Sequence, residues 1–315
     1  MSTTYVLGHK KPDTDSVAAA MALTHLYQNR PCFGYSNPVA AIADPLNPET
    51  SFLFEKFGLT APKLITAADI QADDQIVLVD HNEASQRLDG LNPDQIVEIV
   101  DHHKANLNLS NPIFMTFKTW GSSCTIIYYL MKQQDLTPEK NLASLMLAAI
   151  LSDTVGFRGP TCTDKDKEIG LELAKIAGID DIDALALEVL KAKSDVSKLS
   201  DLEIVRNDYK VFEFAQPTFI DQLETVEQEK VLTEKKASLL QAMQQVKDEE
   251  KVSLLFVAIS DTLKLNTKLL ILGESERQVA EKAFGGQTQD NVLDIGSRMS
   301  RKKEIAPAIE KALAA

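Results

Sequence analysis

Short apolar runs broken by polar loops open the chain. Tyr5-Val6-Leu7-Gly8, Gln75-Ile76-Val77-Leu78-Val79 and Ile96-Val97-Glu98-Ile99-Val100 are rich in Val and Ile, and each predicts a buried strand. Stretches of helix formers lie around them. Ala18-Ala19-Ala20-Met21-Ala22-Leu23 predicts a helix starting near Ser16 and capped by Asp15 or Ser16. Pro31 to Pro48 is loop-rich with one short strand. Ser51 to Phe57 reads as a short helix with Phe52, Leu53, Phe54 and Phe57 available to bury, and with no chemistry attached. Cys124 to Met131 and the almost wholly apolar Leu142 to Leu151 predict buried helices, while Lys165 to Ala177 and Ile182 to Ala192 predict amphipathic ones. Polar sequence at Lys193-Ser194-Asp195-Val196-Ser197-Lys198 marks a linker. Beyond it, strands are expected near Lys210 to Phe214, Thr218 to Val226, Val252 to Ser260 and Lys268 to Leu272, with helices over Glu229 to Val246 and Glu274 to Phe284. The pattern predicts an α/β protein: a parallel-sheet domain over residues 1–192, a hinge linker over 193–198 and a smaller mixed-sheet α/β domain over 199–315.

Composition narrows the class. A chain of 315 residues with 44% hydrophobic and 25% charged residues suits two globular cores. Its 33 basic and 46 acidic residues leave a net charge of -13, which repels a nucleic-acid backbone and argues against a general DNA or RNA binder. No segment approaches the roughly 18 apolar residues of a membrane span, and Met1-Ser2-Thr3-Thr4 leads straight into a strand. A cytoplasmic protein without membrane contact is expected. Cys32, Cys124 and Cys162 are odd in number and widely spaced, which fits reduced thiols better than disulfides or a zinc knuckle.

The candidate chemistry sits where the predicted strands stop. Asp101-His102-His103 ends one, Asp80-His81-Asn82-Glu83 ends another, and His9-Lys10-Lys11-Pro12-Asp13-Thr14-Asp15 follows the first. The carboxyl ends of strands in an open parallel sheet share one edge, where ligands bind. Four of the five histidines, His9, His81, His102 and His103, fall in these stretches; the fifth, His25, reads as a surface or boundary residue of a helix. Imidazole and carboxylate together suit Mn, Co, Fe or Zn. An ordinary helix cap would explain one of Asp13 and Asp15 but not both and the histidine. Asp80 stands centrally and could bridge two ions, with His81 orienting a ligand rather than binding metal. Asp153, at the end of a buried helix, needs a partner and completes the set, unless it merely reaches solvent. Trp120-Gly121-Ser122-Ser123 reads equally as an anion-binding helix start or as a plain capped helix. The second half has no histidine but carries Ser297-Arg298-Met299-Ser300-Arg301-Lys302-Lys303, a basic run that is either a solvated face or an anion site. Two divalent ions held by His9, Asp13, Asp15, Asp80, His102 and Asp153, faced by Lys and Arg, describe a two-metal phosphoryl-transfer centre with a bridging hydroxide as nucleophile.

Gly8-His9-Lys10-Lys11-Pro12-Asp13-Thr14-Asp15-Ser16, Val79-Asp80-His81-Asn82-Glu83, Asp101-His102-His103, Ser152-Asp153 and Ser300-Arg301-Lys302-Lys303 together resemble the manganese-dependent (family II) inorganic pyrophosphatases of the DHH phosphoesterase superfamily, from residue 5 to about residue 310. The resemblance implies an N-terminal DHH domain in which His9, Asp13 and Asp80 hold one metal and Asp15, Asp80, His102 and Asp153 the other. It implies substrate contacts at His103, Lys210, Arg301 and Lys302. It also implies two Mn2+ or Co2+ per subunit, Mg2+ brought with pyrophosphate, and a homodimer. No domain-sized insertion separates Asp15 from Asp101 as in the members with regulatory nucleotide-binding domains. The alternatives are another DHH phosphoesterase, cleaving polyphosphate or short oligonucleotides, and a non-catalytic pyrophosphate-binding protein. Nucleic-acid-cleaving members typically carry a glycine-rich, His-containing motif in the second domain, which has no histidine here.

Overall fold

The computed structural model describes residues 2–197 and 199–314, so Lys198, the last residue of the predicted linker, lies outside the described residues. The chain forms two compact units, Met1–Lys193 and Ser194–Ala315.

In the first unit the elements are β1 (Thr4–Leu7), α1 (Thr14–Asn29), β2 (Pro38–Ile42), α2 (Pro48–Phe57), β3 (Lys63–Leu64), β4 (Gln75–Val79), β5 (Ile96–Asp101), β6 (Phe114–Phe117), α3 (Ser123–Gln133), α4 (Lys140–Asp153), α5 (Asp164–Ala177) and α6 (Ile182–Lys193). The strands make one six-stranded sheet in the order β3-β2-β1-β4-β5-β6, and every pairing is parallel. Side-chain alternation divides β4 between two cores. Val77 and Val79 pack with the buried faces of α1, α3 and α4, whereas Ile76 and Leu78 join Leu7, Ile65 and Ile99 on the opposite face. Because all strands run the same way, the ends of β1, β4 and β5 present their following loops at one edge.

Three sequence expectations change in this unit. The first helix begins at Thr14, not near Ser16, and its cap is Asp13, whose side chain accepts from Ser16 N. An Asp is a better cap when it precedes the first turn with an extended backbone, and Asp13 has that conformation. Residue Lys193 ends α6 rather than opening a linker. The short strands β3 and β6 carry no long apolar run and escape a periodicity search.

The second unit contains α7 (Asp201–Val205), β7 (Tyr209–Glu213), β8 (Pro217–Thr225), α8 (Gln228–Glu234), α9 (Lys236–Glu250), β9 (Leu254–Asp261), β10 (Asn266–Ile271), α10 (Glu274–Phe284), β11 (Val292–Asp294) and α11 (Ala306–Ala314). Its five-stranded sheet runs β11-β10-β9-β8-β7, with β8 and β9 parallel and the other pairs antiparallel. The helix expected over Glu229 to Val246 is two, α8 ending at Glu234 and α9 starting at Lys236 with Lys235 as the cap between them. The basic run continues into a π-helical turn over Arg301–Ile305 that leads into α11. No helix among the described residues is long and apolar enough to cross a membrane.

Candidate metal centre

Gly8 follows β1 directly, and a Cβ there would stand 2.0 Å from Ser16 Oγ. That oxygen accepts from His9 N at 2.9 Å, so the bare glycine lets the loop close on the start of α1. His9 Nδ1 donates to the Lys10 carbonyl at 2.8 Å. The ring therefore turns Nε2 to Asp13 Oδ1 at 3.6 Å and Asp80 Oδ2 at 3.5 Å. His102 is set in the same way: Nδ1 donates to the Trp120 carbonyl at 3.0 Å, and Nε2 faces Asp80 Oδ1 at 3.2 Å. A backbone acceptor on one ring nitrogen fixes the tautomer that offers the other nitrogen to a metal.

Asp80 is the centre of the arrangement. It is buried, its backbone is left-handed with φ +62°, and its amide donates to the Val100 carbonyl at 3.0 Å. One carboxylate oxygen faces His102 and the other His9. Burial alone would raise its pKa, but the hydrogen bonds from His102 and His9 hold it well below the usual carboxylate range. Burial likewise opposes charge on the imidazoles; Asp13 and Asp80 nevertheless lift His9 to about 11, and Asp80 lifts His102 to about 9. Positive charge is strongly favoured at this spot.

Asp15 is wholly buried. Burial, then the Asp80 charge, pushes its carboxyl up to about 6. Asp153, at the end of α4, is raised well above the ordinary carboxylate value by burial and then by Asp15. Possible ligand atoms fall into three overlapping groups, His9-Asp13-Asp80, Asp15-His102-Asp153 and Asp80-His102-His103, each within 4.8 Å. Mutually repelling carboxylates with oriented imidazoles between them fit divalent ions of the Mn and Co kind.

The structure thus gathers all six predicted ligands and His103. Asp101 orients His103, accepting from its amide at 3.0 Å and its Nδ1 at 2.9 Å. That hydrogen bond raises the His103 pKa. His81 donates Nδ1 to the Val79 carbonyl at 2.8 Å; burial pulls its pKa to about 4, so it is neutral, edge-on to the His9 ring.

The helix start after Trp120 does receive an anion, and the anion is the chain's own. Ser122 Oγ and Cys124 N donate to Asp15 Oδ1 at 2.6 and 3.0 Å, and Ser123 N to Asp15 Oδ2 at 2.6 Å. Ser123 Oγ donates to Asp80 Oδ1 at 2.9 Å. Behind it, wholly buried Asp166 takes Gly121 N at 2.9 Å and Thr125 Oγ1 at 2.6 Å. Sequence reasoning placed Ser123 at this helix start without its bond to Asp80, and it missed Asp166. It also missed Asn82, whose Nδ2 donates to Asp101 Oδ2 at 2.6 Å and so ties the ends of β4 and β5.

In the second unit, Arg301 Nη2 donates to Asp208 Oδ1 at 2.9 Å, close to the start of β7 and Lys210. Arg301 N bonds Gln222 Oε1 at 2.8 Å, while its Nη1 is buried without a protein partner. Lys302 is exposed. Arg298 is occupied structurally, its guanidinium 5.3 Å from the Phe284 ring centroid and bonded to the Ile295 carbonyl.

Two family models match the chain, the DHH family N-terminal domain over residues 3–150 and the DHHA2 domain over residues 187–312. It is 38% identical over 312 residues to a probable manganese-dependent inorganic pyrophosphatase of Deinococcus radiodurans, covering 97% of each chain. It is 38% identical over 319 residues to the manganese-dependent inorganic pyrophosphatase of Methanocaldococcus jannaschii, covering 98% of each. The crystal structure of a putative family II inorganic pyrophosphatase of Methanococcus jannaschii superposes with a TM-score of 0.64 at 36% identity, over 99% of this chain and 100% of that one.

Proposed function

The chain belongs to the manganese-dependent inorganic pyrophosphatases, built from DHH and DHHA2 domains, and from that premise we propose that it hydrolyses inorganic pyrophosphate to two phosphates. The observation that carries the reading is Asp80, one buried carboxylate with an oxygen toward each of two oriented imidazoles. His9, Asp13 and Asp80 would hold one ion, and Asp15, Asp80, His102 and Asp153 a second. When bound, such ions make hydroxide available near neutral pH and offset charge building on the attacked phosphorus. The protein's own part is positional. His9 and His102 are held in the ligating tautomer by backbone carbonyls, and Asp101 keeps a proton on His103 Nδ1. Half-exposed His103, with Lys210, Arg301 and Lys302, would hold the phosphates; the unpartnered Arg301 Nη1 supports that role, since a buried guanidinium nitrogen needs an acceptor.

The same reading includes Mn2+ or Co2+ as activating ions, Mg2+ entering with the substrate, a cytoplasmic location and a homodimer. The edge strand β6, with Phe114 73% and Met115 55% exposed, supports self-association. Phosphate release from pyrophosphate, triphosphate and a dinucleotide, each with Mn2+ and with Mg2+, tests the function; a dinucleotide or triphosphate preferred over pyrophosphate sinks it. Arg301→Ala is expected to weaken substrate use by about 10-fold or more, as loss of a charge-assisted phosphate contact does, with Mn2+ binding unchanged. Wild-type KM and rate in that variant would make the basic run a solvated face.

A further inference from the structure

Glu49, in the first turn of α2, is 3% exposed in a segment whose sequence suggests no chemistry. Its Oε1 accepts a 3.0 Å hydrogen bond from the hydroxyl of buried Thr14. Thr50 Oγ1 stands 3.0 Å from that hydroxyl and is its donor, because the single Thr14 proton is on Glu49. Burial raises the Glu49 pKa, and nearby Lys193 and Thr14 oppose that rise. Lys193 Nζ donates to the Ser152 hydroxyl oxygen at 3.0 Å.

Thr14 immediately precedes Asp15, and Ser152 immediately precedes Asp153. Asp15 and Asp153 share one candidate ligand group with His102, their ligand atoms all within 4.8 Å of one another. Two like charges at that spacing push their chain segments apart unless something else holds them. A buried carboxylate is a costly way to make an ordinary packing contact, and a hydrophobic residue would serve the fold as well. We propose that Glu49 is a positioning residue for the Asp15-His102-Asp153 metal site: through Thr14 it fixes the Asp15-bearing start of α1 at the separation from Asp153 that an ion requires. The site is then ordered before the ion arrives, and less ordering is left for binding to offset. The proposal rests on the two-ion reading above.

The test is a Mn2+ titration of the full chain, following free Mn2+ by electron paramagnetic resonance, with the melting temperature of the metal-free protein measured beside it. Wild type is expected to bind two ions. Glu49→Ala should weaken one of them 10-fold or more and leave the other as in wild type, with Glu49→Gln intermediate because its carbonyl keeps one acceptor. Thr14→Ser should bind like wild type and Thr14→Val should repeat the selective loss; these two decide the matter if the alanine variant does not fold. In a His102→Ala background, Glu49→Ala should change nothing further. Equal weakening of both ions, or no weakening in any variant, overturns the positioning role. Fewer than two ions in wild type overturns the two-ion reading itself.

Discussion

Asp80 has a left-handed backbone, φ +62°, a conformation that costs a non-glycine residue about 1–3 kcal/mol and persists only where its surroundings enforce it. Ser123, His9 and His102 supply the enforcement through the side chain. Asp80→Asn keeps the shape and removes the charge, so turnover should fall at least about 100-fold, the scale on which even residues supporting a metal act. Metal content should fall with it, while circular dichroism of the metal-free protein stays unchanged. Activity of wild-type size at normal Mn2+ content would contradict the central role of this carboxylate. Asp221, on β8, makes a different kind of demand. Burial pushes its carboxyl up to about 7, against the stabilising effects of the Asp208 amide and Arg301, and its Oδ2 has no protein partner. The unfolded chain ionises this group near pH 4 and the folded one near 7, so its contribution to stability is complete below about pH 4 and is lost as pH rises toward 7. The loss is roughly 4 kcal/mol at most. Asp221→Asn should flatten that part of the profile, seen as a smaller difference between urea midpoints at pH 5 and pH 8.

Among the elements, the start of α3 does most to shape the centre. The sequence shows a polar pair ahead of an apolar helix, which is legible as a cap; that the accepting groups are Asp15 and Asp80, 107 and 43 residues away in sequence, is not. Gly121 sits where Asp166 takes its amide, and a Cβ there would meet Thr154 Cγ2 at 2.7 Å and Asp166 Oδ2 at 3.0 Å. Gly121→Ala should therefore cost about 1–3 kcal/mol of stability, as overpacking does, and weaken Mn2+ binding by displacing Ser122 and Ser123. Urea unfolding and a metal titration of the same variant check both halves; unchanged metal affinity would separate the helix start from the site. The break at Lys235 was invisible for another reason. Helix formers continue on both sides of it, and Val231, Leu232, Leu239 and Met243 all bury in one core, so only packing decides where one helix ends and the next begins.

For the whole molecule, each unit has its own apolar cores, and all six candidate ligands lie in Met1–Lys193. A chain ending at Lys193 should bind Mn2+ within a few-fold of the full protein and have no measurable pyrophosphatase activity, because the proposed phosphate contacts at Lys210, Arg301 and Lys302 are gone. Residual activity near the full-length rate would remove those residues from the reaction. The sequence by itself determined the two-unit α/β plan, the strands β1, β4 and β5 with almost their observed bounds, and the six candidate residues that the structure brings together. Strand periodicity is local, and a parallel sheet converts local strand ends into one shared edge without further information. Tertiary structure alone decided that Asp13 caps α1 while Asp15 is clamped by α3, that Asp166 stands behind that clamp, and that Glu49 accepts from Thr14. These are contacts between polar residues far apart in the chain, which carry no period. Their partners are set by which groups burial leaves without water, and that becomes known only when the chain has folded.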